Sequence, residues 1–438
     1  MAGSLPVKNR IIMRSRFCIK IIISFILLII SIPLYSEEDN LFEEGWNFRF
    51  RGYYKNLFMY QERDEFYSRI YLPPEDKKLV TDLNRLRVSP EVNYAESFTL
   101  HADADLEAVL SNYSNSDEFD LLFRDKGYND PVKPEAEFAH RENLYVRGKI
   151  QNFYAKMVAG KFTGTAGRQQ VRFGSSRLWN PLDLMNPFSP LSVEGADEQK
   201  GTDALRLDWY PGESTEFTCV AAPKRREDSL DKADAGSGNY IARMKSGVKA
   251  FDAALLGGYT AKRRNAGADF AAEVYDGLLT GVFLYSAPEE GKEYWQCGAG
   301  YEYTFQCGLY FLMEYFFNSL PVNDDNELQE ALLHYSADGI DSSNYHILSN
   351  RMITYNSHYL SIAAGYDFHP LLRGEVFSIY DFQGRGVFLN GVLKFNALEN
   401  LDITAGIISA FIKRNNRTSD FEVYNKEPVY YASLQYYF

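Results

Sequence analysis

From about residue 46 onward the chain alternates apolar and polar positions with a period of two, which predicts strands rather than helices. The clearest stretch runs from Ser97 to Leu110. There Phe98, Leu100, Ala102, Ala104, Leu106 and Leu110 face one way, and Thr99, His101, Asp103, Asp105 and Glu107 face the other. Just before it, Leu86, Val88, Val92 and Tyr94 alternate with Arg85, Arg87, Ser89, Glu91 and Asn93. A turn at Tyr94-Ala95-Glu96 would place Arg87 opposite Asp103 and Arg85 opposite Asp105, giving a ladder of opposite charges along one face.

The same rhythm predicts strands near Trp46 to Tyr60, Asn143 to Ile150, Phe153 to Lys161, Thr202 to Tyr210, Glu216 to Pro223 and Tyr240 to Val248. It continues near Phe251 to Ala261, Ala268 to Tyr275, Leu278 to Tyr285, Glu293 to Tyr303 and Gln306 to Phe317, and then near Tyr355 to Phe368, Leu371 to Tyr380, Gly386 to Phe395, Leu401 to Phe411 and Val429 to Phe438. Very short connections alternate with long ones near residues 62 to 80, 111 to 141, 163 to 201 and 318 to 354. That is the pattern of an all-β, antiparallel transmembrane barrel, with short turns on one side and long loops on the other. The stretch between Lys262 and Tyr285 reads as one long strand or two. Splitting it at Asp276-Gly277 gives an even count of about eighteen, with sixteen as the alternative.

The last strand ends at the carboxyl terminus itself, with Tyr430, Ala432, Leu434, Tyr436 and Phe438 on one face. Chain ends ordinarily fray, and a closed barrel ties its end down by pairing the last strand with the first. In this the sequence resembles outer-membrane β-barrel proteins of double-membraned bacteria. The resemblance implies that these five residues form the signal read by the barrel-insertion machinery, that the short turns are periplasmic and that the long loops lie outside. At the other end, Lys8, Arg10, Arg14, Arg16 and Lys20 precede an apolar run from Ile21 to Ile30, and acidic residues follow Ser36. This is the order of a cleaved secretory signal, placed at residues 1 to 36, and the run is too short to span a bilayer. Residues 37 to 438 then form a single barrel domain without a separate plug.

Composition agrees. Aromatic residues make up 15% of the chain, with 32 Tyr and 31 Phe, and mean hydropathy is −0.33, as expected where lipid-facing and water-facing positions alternate. Loss of residues 1 to 36 removes five basic residues and no acidic one, which takes the formal charge from −13 to −18. Such a product is a poor partner for nucleic acid. Only Cys219, Cys297 and Cys307 remain. Cys297 and Cys307 can face each other across a hairpin centred near Glu302 and form a disulfide, or all three can stay free.

The most distinctive stretch is Gly167-Arg168-Gln169-Gln170-Val171-Arg172-Phe173-Gly174, running on through Arg177-Leu178-Trp179-Asn180-Pro181 to Asn186-Pro187, with a strand opening at Gly201-Thr202-Asp203-Ala204-Leu205-Arg206. Over roughly residues 160 to 210 it resembles porin-like outer-membrane barrels, alginate-export-like barrels among them. Phe173 stands where such proteins commonly carry Trp. A loop of nearly forty residues, near 163 to 201, is too long for a mere connection, and in porins a long loop commonly dips into the barrel. It is expected to carry Arg168, Arg172 and Arg177 into the lumen opposite Asp103, Asp105 and Glu107, creating a transverse field that selects solutes. Alternatively these arginines latch the loop to the wall, and the two roles are compatible. Arg85, Arg87, Arg147, Lys149, Lys156 and Arg206 are further pore-lining candidates, so the wall is mixed in sign.

No nucleophile elbow, zinc motif or cofactor fingerprint is present, and the six histidines are scattered. The acidic loop Asn323 to Glu327 lacks the Gly and distal Glu of an EF-hand. No enzymatic activity, metal or cofactor is therefore expected. The leading expectation is a porin in outer-membrane lipid, single or as a homotrimer, that passes small hydrophilic solutes. The alternative is an adhesin whose outer loops bind ligands while the barrel anchors them.

Overall fold

A computed structural model describes residues 45 to 438 apart from 64–75, 117–118, 121–122, 124–130, 133, 186–189, 192–200, 227–228, 290, 323–351, 353 and 414–416. The proposed secretory signal and the acidic loop at 323 to 327 lie outside the described residues. The strands in chain order are β1 (Trp46–Glu62), β2 (Lys78–Tyr94), β3 (Phe98–Ser111), β4 (Glu135–Arg141), β5 (Leu144–Ala159), β6 (Phe162–Gln169), β7 (Thr202–Trp209), β8 (Thr215–Arg226), β9 (Ser229–Val248) and β10 (Phe251–Thr260). They continue with β11 (Arg263–Val274), β12 (Gly277–Pro288), β13 (Tyr294–Thr304), β14 (Tyr310–Asn318), β15 (His358–His369), β16 (Leu372–Asp381), β17 (Gly386–Leu398), β18 (Leu401–Ile412) and β19 (Val429–Tyr437).

Eighteen of these strands form a closed antiparallel barrel in sequence order, with β19 returning to β1 from Tyr53↔Tyr437 to Gln61↔Val429. Phe438 and Gly52 exchange both backbone hydrogen bonds, at 2.9 and 3.0 Å. The nineteenth strand, β4, stands outside this order. β3 pairs along one edge of β5 from Phe98↔Met157 to Leu110↔Leu144. On the other edge β6 pairs with residues 153 to 159 of β5, and β4 pairs with residues 144 to 149. β6 is only eight residues long because the chain turns inward after Gln169, so β4 fills the place that β6 vacates.

The count of eighteen agrees with the sequence, but three elements differ, the first being β4, which lies within the stretch read as the long connection 111 to 141. The segments read as separate strands near 143 to 150 and 153 to 161 are one strand, β5, which continues through an irregularity at Gln151 that shifts its register against β3. The segment assigned to the long loop at 163 to 169 is a wall strand, β6. With Gly164, Thr165, Ala166 and Gly167 it carries too little apolar contrast for its alternation to be read. The split between Lys262 and Tyr285 falls at Tyr275-Asp276, where both residues take left-handed conformations, φ 50° and 60°, as a two-residue hairpin turn of this type requires.

Two further corrections concern side chains. The β2–β3 turn is centred one residue later than expected, so the charge ladder pairs Arg87 with Asp105 and Arg85 with Glu107. The faces are unchanged, because a shift of two in register preserves them. The β13–β14 hairpin turns at residues 305 to 309, so Cys297 pairs with Phe317 and Cys307 sits in the turn; all three cysteines are free.

Outward positions are apolar and aromatic, including Phe50, Leu205, Leu207, Leu255, Val376, Leu393 and Ile407, all exposed. Trp209 stacks between Phe162, at 6.1 Å, and Phe217, at 5.2 Å, beside the short turns. No described helix is long and apolar enough to cross a membrane. A continuous apolar outer surface on a closed barrel is stable only against hydrocarbon, where the absence of a free edge leaves no backbone group unpaired. A Cβ at Gly52 would lie 2.5 Å from the Arg87 carbonyl oxygen and 2.6 Å from the Phe438 ring. Gly52→Val is therefore expected to lower the fraction of compact, heat-modifiable barrel after refolding, read by gel mobility with and without boiling. Thiol titration of the chain lacking residues 1 to 36, unfolded without reductant, is expected to give three thiols; a value of one would mean that a bond had formed.

Candidate functional site

After β6 the chain leaves the wall and crosses the interior. Gly174 adopts φ +97°, and a Cβ there would collide with Asn180 Oδ1 at 2.1 Å, so the turn requires glycine. Asn180 Nδ2 donates to the Phe173 carbonyl at 2.6 Å and closes the turn. Ser175 Oγ donates to the Phe270 carbonyl at 2.8 Å. Val171, Phe173, Leu182, Leu184 and Met185 pack on inward residues of β7 to β12, among them Val220, Ile241, Leu256 and Leu284. Leu182 comes so close to Gly267 that a Cβ there would stand 2.4 Å from it.

The tip of the segment is held by a different set of contacts. Glu314, on β14 and fully buried, accepts backbone N–H groups of Trp179 at 2.6 Å, Arg177 at 3.1 Å and Leu178 at 3.4 Å. Trp179 stacks on Phe316 at 4.9 Å, lies 5.1 Å from Tyr359 on β15, and donates Nε1–H to Ser361 Oγ at 2.7 Å. Arg177 pairs with Glu302 on β13 at 2.7 Å. The hydrogen bond to Glu302 raises the Arg177 pKa further, so the guanidinium stays charged. In a ring of eighteen strands, β14 and β15 lie eight and nine places from β6. The segment thus spans the interior and is fastened to the opposite wall.

The candidate residues fall into two groups. Arg87 makes a bidentate bond to Asp105 at 2.6 and 2.7 Å. Glu107 is contacted by Arg85 at 2.5 Å, Arg147 at 2.6 Å and Lys149 at 2.8 Å. Arg147 also bonds Glu135 on β4 at 3.0 Å and the Phe123 carbonyl. Arg85 and Glu107 are 2% and 0% exposed. These charges face inward but are packed together beneath the segment that follows β3, where Tyr113 and Phe119 join the same apolar cluster as Tyr145. Four cations and three carboxylates nearly balance, which is what makes so dense a cluster tolerable away from water.

The three arginines expected in the loop, of which Arg168 lies in β6, are likewise paired. Arg168, 4% exposed, makes two 2.9 Å bonds to Asp203 and one of 3.0 Å to the Val132 carbonyl, tying β6 and β7 to the chain that leads into β4. Arg172 lies 3.8 Å from Asp183 inside the inserted segment. Of the three, the Arg177 side chain is the most open, at 56%. Asp103 is bonded by Ser89 at 2.6 Å, Asn152 at 2.8 Å and His101 at 3.1 Å.

On the side of the short turns, beneath the inserted segment, the inward faces of β3, β5, β6 and β7 line a half-open polar cavity of about 380 Å³. His101, Asn152, Tyr154, Lys156, Thr163, Thr165, Gln169, Arg206, Asp208 and Tyr210 line it. Arg206 bonds Asp208 at 2.9 Å and Glu216 at 3.5 Å. At the outer mouth Asp381 accepts the side chains of Asn356 and Ser419 and the backbone N–H groups of Gln383 and Gly384, tying loops together.

Sequence reasoning did not single out Glu302 and Glu314. Glu314 was visible as a lone carboxylate within Tyr310-Phe-Leu-Met-Glu-Tyr-Phe-Phe, where it takes the inward parity. The five candidate insertion-signal residues lie on the outward face of the closing strand, Tyr430 6.5 Å from Tyr60 and Phe438 6.3 Å from Phe50.

No family model and no curated protein sequence matches the chain. Among solved structures it is similar to OccAB3 of Acinetobacter baumannii, with TM-score 0.54, 12% identity and coverage of 89% of this chain and 99% of that one. It is similar to the outer membrane protein OpdK of Pseudomonas aeruginosa, with TM-score 0.53, 10% identity and coverage of 90% and 98%. OccK5 (OpdH) of Pseudomonas aeruginosa gives TM-score 0.52, 12% identity and coverage of 89% and 97%. At such identities the likeness establishes a shared fold. Replacing Glu314 by Leu would orphan buried backbone donors, at about 1 to 3 kcal/mol each. The expected outcome is a barrel that still closes but in which residues 170 to 185 become cleavable by added protease, read by mass spectrometry of the fragments.

Proposed function

We propose that this chain is an outer-membrane channel through which small hydrophilic solutes diffuse passively, with residues 170 to 185 setting its narrowest point. The observation that carries the reading is the segment itself, which crosses the lumen and is clamped to the far wall by Glu314 and the Trp179 ring. At eighteen strands a barrel encloses more space than its own side chains fill, and a wall that is apolar outside and polar inside suits water within and lipid without. Passive diffusion needs no nucleotide, metal or covalent intermediate. The fold shared with OpdK, an outer membrane protein, supports the bacterial outer membrane as the location.

The same reading assigns residues 1 to 36 to export and the outward face of β19 to recognition by the insertion machinery, and it accommodates association as a homotrimer. Refolded into a planar bilayer, the protein is expected to give stable conductance steps on the nanosiemens scale. Glu314→Leu and Trp179→Ala are expected to raise the single-channel conductance by releasing the segment. Arg177→Gln, by removing the most open of the loop cations beside Glu302, is expected to shift reversal potentials toward cation preference. A correctly folded wild-type barrel that stays silent would sink the reading.

A further inference from the structure

We infer that the polar cavity beneath the inserted segment is a weak, saturable subsite for neutral polyhydroxylated solutes of monosaccharide size, sugars or polyols rather than organic acids. The inference rests on the channel reading and names its solute class. At about 380 Å³ the cavity falls within the size range of small-molecule sites, about 300 to 1,000 Å³. Tyr154, Thr163, Thr165 and Tyr210 line it, and among the described residues none of their hydroxyls has a hydrogen-bond partner in the protein. Each such hydroxyl can donate and accept. Several around one space match a carbon skeleton whose own hydroxyls do the same. The exposed ring of Tyr210 adds a flat face for the C–H side of a sugar.

Charge argues against an acid. Arg206 is engaged by Asp208 at 2.9 Å and Glu216 at 3.5 Å. His101 lies between Glu91 at 3.3 Å and Asp103 at 3.1 Å. Among the described residues Lys156 is the one lining cation without an ion pair, and the two carboxylates Asp208 and Glu216 balance the summed charge of Arg206 and Lys156 on this wall. A carboxylate entering here would meet no excess of positive charge, whereas a neutral solute would exchange its hydration for the hydroxyl groups of the wall.

The test compares D-glucose with D-gluconate, which share six carbons and the same hydroxyl stereochemistry, the first a neutral hemiacetal ring and the second an open chain with a carboxylate at C1, on wild-type channels in a planar bilayer with potassium chloride. Glucose is expected to reduce the ion current saturably, and gluconate to do so more weakly. The double variant Tyr154→Phe and Thr165→Val is expected to raise the half-saturating glucose concentration about tenfold, the loss of roughly two net hydrogen bonds. If gluconate is the tighter of the two and Lys156→Met removes its effect, the cavity is an anion site and the inference is overturned. A normal potassium chloride current without a saturable glucose effect overturns the subsite and leaves the channel reading standing. A folded barrel without any current removes both. The wild-type comparison decides between the two solute classes even if the double variant fails to fold.

Discussion

A wall that stands in hydrocarbon has no water to satisfy its backbone, so every N–H and C=O must find its partner inside the chain. The rest of this structure depends on that constraint. It explains why the last residue is fixed as firmly as any other, with Phe438 bonded to Gly52 at both backbone groups. It also explains why β4 exists. Once the chain turns inward at Gln169, the outer half of β5 would expose an unpaired edge, and a strand from the preceding long connection covers it.

Inside the barrel the same constraint takes another form. The inserted segment has no ladder to join, so it is fastened one group at a time: Glu314 of the wall accepts three of its N–H groups, its own Ser175 hydroxyl donates to the wall carbonyl of Phe270, and its own Asn180 amide donates to the Phe173 carbonyl within the turn. Packing does the remainder, through Trp179 on one side of the lumen and Val171, Leu182 and Leu184 on the other. The charge cluster of β2, β3 and β5 is a second brace. Its members are buried or half-buried and mutually paired, while the polar cavity lies beyond the segment, toward the short turns.

Much of the wall was legible because a period of two is a local property: the alternation of Leu86 to Tyr94 and of Phe98 to Leu110 gives both the strand and the inward face. The strand count came out correctly because two differences cancelled, one strand divided at Gln151 and one, β6, taken for loop. Register is not local, and a turn one residue later was enough to move Arg87 from Asp103 to Asp105. The crossing segment was recognisable from its length, its Arg residues and its turn formers. Its anchor was not, because Glu314 is 137 residues from Arg177 in sequence, and no local pattern links them. For the same reason the partners of Arg168 and Arg177 could be guessed in kind, as wall carboxylates, but not by residue.

The position of β4 bears on how this barrel can vary. Connections on the long-loop side of such proteins ordinarily accept insertions and deletions, since nothing in the wall depends on their length. The connection between β3 and β5 is an exception here, because part of it is wall. A shortening that withdrew residues 135 to 141 would open a lateral seam to lipid beside β5 and would remove Glu135 from Arg147 at the same stroke. Length variation in this region is therefore limited by β4, by Tyr113 and Phe119, which pack with Tyr145, and by the Val132 carbonyl that accepts Arg168, so grafting or epitope insertion belongs at another outer loop.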